Sequence, residues 1–96
     1  MDVIFEWDSR KASANFRKHG IRFHEAATVF DDPLAAIFDD EDHSARETRE
    51  IIIGHSLKNR LIVVCFTERT NGIIRIFSAR LATRKERKEY EENHRQ

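Results

Sequence analysis

Acids and arginines recur near one end of three predicted β-strands, at spacings that would bring them onto one face of a sheet. Glu68 and Arg75 belong to neighbouring strands, and Arg49, preceded by Glu47, belongs to the strand on the other side. A carboxylate can accept the 2′-hydroxyl proton of RNA while nearby cations stabilise the charge that develops on the attacked phosphate. Glu68 or Glu47 is therefore the candidate base. The candidate phosphate clamp consists of Arg49, Arg75 and Arg80.

The predicted hairpin from Leu61 to Arg80 determines which residues of the last two strands lie opposite each other. A two-residue type I′ turn needs positive φ at both of its positions, and Asn71-Gly72 meets that need best. Cross-strand neighbours then follow by counting away from the turn. The predicted pairs are Glu68 with Arg75, Phe66 with Phe77, and Val64 with Ala79.

A second predicted turn, at Lys58-Asn59, joins the preceding strand to this hairpin. If its loop also has two residues, Arg49 lies opposite Glu68 and Ile51 lies opposite Phe66. The alternation of the last strand places Arg80 on the face away from Arg75, unless that strand ends or bulges at Ser78-Ala79. The two turns thus decide which charges meet.

A purely structural interpretation stays open. Opposite charges paired across antiparallel strands are common, and each pair stabilises a sheet by only about 0.2–1 kcal/mol. The aromatic side chains of Phe66 and Phe77 fit a core or an interface better than a surface that stacks RNA bases. The residues alone favour this interpretation of Glu68 and Arg75 over a catalytic one.

Histidine is the usual acid or base near neutral pH, and His19 is the best candidate among five histidines. It ends the first predicted helix, where the helix dipole favours a cation, so the alternative is that it caps the helix. His55 is a weaker candidate because it lies several residues from the charged end of its strand. The acidic run at 39–43 lacks the spacing and glycine of an EF-hand, so we expect a solvated loop and no metal.

The remaining patterns predict a small α+β domain. Asp8 or Ser9 caps a helix that Gly20 ends, and Ala12 and Phe16 should turn toward the core. A second short helix ends before Pro33. The predicted elements are a strand at 3–7, helices at 9–19 and 23–30, strands at 34–38, 47–55, 61–68 and 73–80, and a helix at 84–94 opened by a Thr83–Glu86 capping box.

Length and composition bound the function. A chain of 96 residues predicts one domain, 1–96, and the single Cys65 excludes an internal disulfide. No apolar run approaches the roughly 20 residues of a membrane helix, and no signal peptide is visible, so we expect a cytoplasmic protein.

The charges are distributed unevenly along the chain. Residues 1–57 carry 7 Lys/Arg against 12 Asp/Glu, whereas residues 58–90 carry 9 Lys/Arg against 3 Asp/Glu. The basic second half would suit a polyanion.

Several blocks in fixed order resemble the toxins of the BrnT/BrnA type II toxin–antitoxin family. They span nearly the whole chain, from FEWD and KHGI near the first helix to RIFSAR in the last strand. The blocks are FEWD at 5–8, KHGI at 18–21, EAATVFDDP at 25–33, DHS at 42–44, E-x-R-x-x-x-I-G at 47–54, VVCFTER at 63–69 and RIFSAR at 75–80, followed by Glu86 and Tyr90.

The resemblance implies a compact fold like that of RelE-type toxins. Combined with the predicted elements, it describes an α+β domain with two N-terminal helices, an antiparallel sheet built around a three-stranded meander, and a C-terminal helix. It implies a metal-independent endoribonuclease without a cofactor that inhibits translation and is neutralised by a BrnA-like antitoxin. Operator DNA would be bound only through that antitoxin. The polar positions that match the family are Lys18, His19, Glu47, Arg49, Glu68, Arg69, Arg75 and Arg80.

Two other functions compete with this one. The second hypothesis is a non-catalytic module whose basic face holds the antitoxin and serves only operon regulation. Direct DNA binding by the C-terminal helix is a third hypothesis, but a second helix arranged as in a helix-turn-helix is lacking.

Overall fold

The computed structural model describes residues 3–40, 48–70 and 72–93. These residues form a five-stranded sheet in the order β1-β5-β4-β3-β2. The elements are β1 (Ile4–Glu6), α1 (Ser9–His19), α2 (Phe23–Thr28), a 3₁₀ turn (Val29–Asp31), β2 (Ala36–Asp39), β3 (Glu50–His55), β4 (Leu61–Glu68), β5 (Ile73–Leu81) and α3 (Arg84–Asn93).

The α+β class is confirmed, but the sheet is mixed rather than antiparallel. Strands β2 to β5 follow one another as antiparallel neighbours, which extends the predicted three-stranded meander by one strand. Strand β1 joins the far edge parallel to β5. Two parallel strands need a long crossover connection, and the chain between β1 and β5 supplies it. Residues of β1 and β5 that are neighbours in the sheet are therefore distant in sequence.

Helix α1 begins and ends where the sequence predicts. The Asp8 carboxylate accepts hydrogen bonds from the backbone N–H groups of Arg10 and Lys11, and Gly20 has φ 71°, which ends the helix. The prediction for Phe16 is wrong, since this side chain is 39% exposed. Asn15 is buried instead: its amide side chain bonds the backbone N–H and C=O of Ala79 and the C=O of Ile21. These bonds fix the rotation of α1 against β5.

The register of the β4–β5 hairpin differs by one residue from the prediction near the turn. Glu68 pairs with Ile74, so the predicted pairing of Glu68 with Arg75 is wrong. Three residues, 70–72, separate Arg69 from its partner Ile73, whose C=O accepts the Arg69 N–H. Gly72 has φ 78°, as the last residue of many three-residue hairpin loops does. Asn71 itself lies outside the described residues.

The β3–β4 hairpin deviates in the same way. The paired residues run from His55 with Leu61 to Glu50 with Phe66, so the predicted pairing of Ile51 with Phe66 is wrong. Arg49 comes just before the first paired residue of β3. Residues 57–59 form the loop, and Asn59 supplies the positive φ of 60° that three-residue loops need in their last position. Both turns are therefore one residue longer than a type I′ turn.

The two faces of the sheet are covered by different helices. Helices α1 and α2 cover the first over a core that includes Ile21, Phe23, Val29, Ile62, Val64 and Ile76. On the second face, Tyr90 of α3 packs against Ile53, Leu61 and Val63. The capping box of α3 is confirmed by hydrogen bonds between Thr83 and Glu86 in both directions. Helix α3 leaves the other end of this face open.

Within the described ranges, the helices are too short or too polar to cross a lipid bilayer.

Candidate functional site

A β-bulge at Phe77 brings Arg75 and Arg80 to the same face of the sheet. Arg75 pairs with Thr67 and Arg80 pairs with Val63, and these two β4 residues are an even number of positions apart. Residues two or four apart on a strand share a face. Residue 77 is the extra residue of β5, because Ile76 pairs with Phe66 and Ser78 pairs with Cys65. Arg80 needs a bulge to share a face with Arg75, and the observed bulge at Phe77 lies one residue before the predicted one at Ser78-Ala79.

One cavity of about 640 Å³ lies at the turn end of this face. We call it the Arg75 cavity; its lining residues are Thr48, Thr67, Glu68, Arg69 and Arg75. Glu68 also lines this cavity, but it pairs with Ile74 and follows Thr67, so strand alternation places it on the face opposite Arg75, and the predicted common face of Glu68 and Arg75 is wrong. A carboxylate and two guanidinium groups in one open cavity can bind a phosphate and accept a proton beside it.

Glu6 orients the arginines of the Arg75 cavity. Its carboxylate Oε2 lies 2.7 Å from Arg75 Nη1 and 2.8 Å from Arg69 Nη1. The hydrogen bonds from Arg75 and then from Arg69 lower the pKa of Glu6. Glu6 reaches this position because β1 pairs parallel with β5 and sets Glu6 beside Arg75. Sequence reasoning missed Glu6, whose one signal was its place in the matched FEWD block.

A second cavity of about 390 Å³ on the same face contains Phe77. We call it the Phe77 cavity; its lining residues are Lys11, Asp40, Arg49, Ile51, Val63, Cys65, Phe77, Ser78 and Arg80. The guanidinium carbon of Arg49 lies 3.9 Å from the centroid of the Phe77 ring, and Lys11 Nζ lies 5.6 Å from it. The structure thus unites Arg49 with Arg80, and it adds Lys11, which was not among the predicted site residues.

Arg80 is held by a carboxylate from α3. Its two terminal nitrogens lie 2.7 Å and 2.8 Å from the two oxygens of Glu86, a bidentate pair. The hydrogen bonds from Arg80 are the largest cause that lowers the pKa of Glu86 to about 2. Because Glu86 also closes the capping box with Thr83, the pair fastens the start of α3 to β5.

Cys65 lies in the Phe77 cavity as a neutral thiol. Burial, followed by the contact with Asp40, raises the pKa of Cys65 to about 12. The thiol donates a hydrogen bond to Asp40 Oδ2 over 3.3 Å. A thiolate is the nucleophilic form of cysteine, so this residue is not suited to nucleophilic catalysis at neutral pH.

Two predicted site residues that the structure describes line neither cavity. Lys18 and His19 lie on the last turn of α1, and neither lines the Arg75 cavity or the Phe77 cavity. Lys11, about 10 Å earlier along the helix axis, is the α1 residue that does. Glu47 lies outside the described residues, so its position relative to Arg49 stays a prediction.

His55 has a structural environment at the other end of β3. The Tyr90 hydroxyl donates to Asp32 Oδ2 over 2.8 Å, and the His55 backbone N–H donates to the same oxygen over 2.8 Å. His55 Nδ1 lies 3.2 Å from the Tyr90 hydroxyl. Burial raises the pKa of Tyr90 to about 12, so it remains a donor. This network attaches α3 to the body of the protein.

The part of the chain that the structure describes contains no group of three or more His, Cys, Asp or Glu side chains arranged to hold a metal ion.

Comparison with known proteins gives a matching family and a similar solved structure. The sequence model of the family described as "Ribonuclease toxin, BrnT, of type II toxin-antitoxin system" matches residues 7–86. The crystal structure of the Brucella abortus ribonuclease toxin, BrnT, at 1.1 Å resolution superposes with a TM-score of 0.63 at 24% sequence identity. The match covers 88% of this chain and 99% of that chain. No curated protein matches the sequence significantly.

Proposed function

Because the chain belongs to the BrnT family of ribonuclease toxins of type II toxin–antitoxin systems, we propose that it is an endoribonuclease whose open sheet face binds and cleaves RNA. The observation that carries this proposal is the bulge-set face itself. It collects Arg49, Arg75 and Arg80 in two neighbouring cavities, with Glu68 in the same cavity as Arg75. Surface salt bridges alone would not require three guanidinium groups around open space.

The proposed reaction is attack by the 2′-hydroxyl on the adjacent phosphate. Glu68 accepts the hydroxyl proton, the new P–O2′ bond forms, and the P–O5′ bond breaks with the 5′-oxygen taking a proton. Arg75 stabilises the negative charge on the phosphorane, and its pair with Glu6 holds its guanidinium in place beforehand. The products are a 2′,3′-cyclic phosphate and a 5′-hydroxyl. No metal ion enters this scheme.

The proton donor for the 5′-oxygen is proposed from the family resemblance. Lys18 and His19 match the KHGI block and keep this role as candidates, although they line neither cavity. Glu47 keeps its role as an alternative base. The relationship to RelE-type toxins likewise rests on the resemblance.

A type II toxin has an antitoxin partner. We propose a BrnA-like, DNA-binding antitoxin that neutralises this chain and represses their operon, so that operator DNA is reached only through the partner. RNA cleavage would inhibit translation in the cytoplasm.

A non-catalytic binding module is the second candidate function. It is favoured by one observation: Arg75 and Arg80 each form an ion pair with a carboxylate, Glu6 and Glu86 respectively. Arginines used only to stabilise the fold would show the same pairs. The two functions differ in whether RNA is cut.

The decisive experiment incubates the purified chain with RNA in EDTA and identifies the new ends. We expect 2′,3′-cyclic phosphates, and we expect Arg75→Ala to lower the cleavage rate by about 100-fold or more. Arg87→Ala, on the exposed surface of α3, is the matched control and should cleave at the wild-type rate. Absence of cleavage by the wild type, with the antitoxin still bound, would establish the binding module instead. Cleavage that EDTA abolishes would contradict the metal-independent scheme.

A further inference from the structure

We propose that Phe77 is a positioning residue that orients the Arg49 guanidinium toward RNA phosphate without neutralising its charge. This inference rests on the proposed ribonuclease function and adds a residue to it. It starts from the difference between Arg49 and two arginines of the open face that are paired with carboxylates, Arg75 and Arg80.

The arginines of the face are held by different kinds of group. Arg75 is held by Glu6 at 2.7 Å, and Arg80 is held by Glu86 at 2.7 Å. Each of these carboxylates cancels part of the positive charge that a phosphate would meet. Among the described residues, Arg49 forms no ion pair, and its guanidinium carbon lies 3.9 Å from the Phe77 ring centroid. A ring face attracts a cation through its quadrupole and carries no net charge.

Orientation matters because arginine is a long side chain with many rotamers. A free guanidinium would lose rotamer entropy when it binds a phosphate. A guanidinium already stacked on a ring has lost part of that freedom, and its edge still presents the N–H groups that bind phosphate. The Phe77 ring therefore preorganises Arg49 without adding a negative charge beside it.

The bulge in β5 explains why the Phe77 ring is available to stack on the Arg49 guanidinium. Phe77 is the unpaired extra residue of β5, and it is half-buried in a cavity rather than packed into the core. Phe66, the other phenylalanine of the hairpin, is 4% exposed and belongs to the core. The Phe77 ring also lies within 5.6 Å of Lys11 Nζ. Two cations without carboxylate partners among the described residues thus flank one neutral ring.

The test uses two Phe77 variants that distinguish the effect of the aromatic ring from the effect of a bulky apolar side chain. Phe77→Leu keeps an apolar side chain but removes the π-system, and Phe77→Tyr keeps the ring. With a defined RNA oligonucleotide, we expect Phe77→Leu to lower kcat/KM by about fivefold to twentyfold and Phe77→Tyr to stay within about twofold of the wild type. Circular dichroism and thermal melting establish that each variant is folded.

Dependence on Arg49 is tested by a double-mutant cycle. In the Arg49→Ala background, Phe77→Leu should change kcat/KM by less than about twofold, because the group it orients is absent. The Arg49 Nε–H proton resonance should be shielded by the ring in the wild type and in Phe77→Tyr, and it should lose that shielding in Phe77→Leu.

The chain offers a matched control in Phe16. Arg22 stacks on the Phe16 ring at 4.1 Å, and this pair lies outside both cavities of the open face. Phe16→Leu should therefore cleave RNA at the wild-type rate.

Three outcomes overturn the inference. If Phe77→Leu cleaves like the wild type, the ring does not position Arg49. If its effect is equally large in the Arg49→Ala background, Phe77 acts on RNA directly, for example by stacking a base. If the wild type does not cleave RNA at all, the proposed function fails and this inference fails with it.

Discussion

Arg75 and Arg80 are five residues apart on β5 and still share one face of the sheet. In a regular strand, an odd separation would place them on opposite faces. Phe77, between them, is an extra unpaired residue, and it shifts the alternation so that both arginines lie on one face. The same bulged residue provides the ring that Arg49 contacts. The candidate site therefore depends on a backbone irregularity as much as on residue identity.

The pair between Arg80 and Glu86 predicts an acid-sensitive contribution to stability. The pKa of Glu86 is lowered to about 2 in the folded protein, from an ordinary value of 4.5, so its contribution is complete above about pH 4.5 and is lost as the pH falls toward 2. Glu86→Gln should lower the free energy of unfolding by about 1–2 kcal/mol at pH 7. The deficit should shrink at pH 3. Urea unfolding at both pH values measures it, and Glu89→Gln, which is exposed, is the control. An equal deficit at both pH values would contradict the assignment.

Gly54 predicts a steric limit where β3 packs against Ala35 and Val29. A Cβ at this position would lie 2.9 Å from Ala35 Cβ and 3.0 Å from Val29 Cγ1. Gly54→Ala should therefore destabilise the protein by about 1–3 kcal/mol through overpacking. Gly20→Ala meets no atom within 4 Å but has φ 71°, so it should cost about 1 kcal/mol through the backbone alone. Thermal melting compares the two, and a Gly54→Ala variant as stable as the wild type would show that Ala35 and Val29 move aside freely.

Lys11 should contribute to RNA affinity through charge. Binding of a single-stranded, 2′-O-methylated oligonucleotide should weaken in Lys11→Ala, and the slope of log K against log salt should fall by about 0.7 if one phosphate contact is lost. Lys58→Ala removes a charge from the β3–β4 turn, away from both cavities of the open face, and serves as the control. Fluorescence anisotropy at several salt concentrations measures both slopes. Equal slopes for wild type and Lys11→Ala would remove Lys11 from the RNA-binding face.

Cys65 should react slowly with alkylating reagents in the folded protein. Burial and the Asp40 contact raise its pKa to about 12, so little thiolate forms at pH 8. In urea, where the thiol is exposed, alkylation should approach the rate of a model thiol. Mass spectrometry after iodoacetamide treatment follows both reactions. Rapid modification of the native protein would show that the thiol is not protected in this way.

Local sequence signals determined most of the element boundaries. Asp8 and Gly20 delimit α1, and Thr83 with Glu86 opens α3, because caps satisfy backbone groups within a few residues of chain. The family was also identified from the sequence, since its blocks are short and keep their order. The fold class followed from the same patterns.

Only the tertiary structure decided which side chains meet. Both hairpin loops have one residue more than the predicted turns, and each extra residue shifts the register of the strand pairs beside it. Glu6 and Lys11 reach the site through contacts between segments distant in sequence, a parallel strand pair and the packing of α1. Loop length and bulge position depend on the free energy of the whole sheet, so the sequence supplied the arginines and the fold decided their common face.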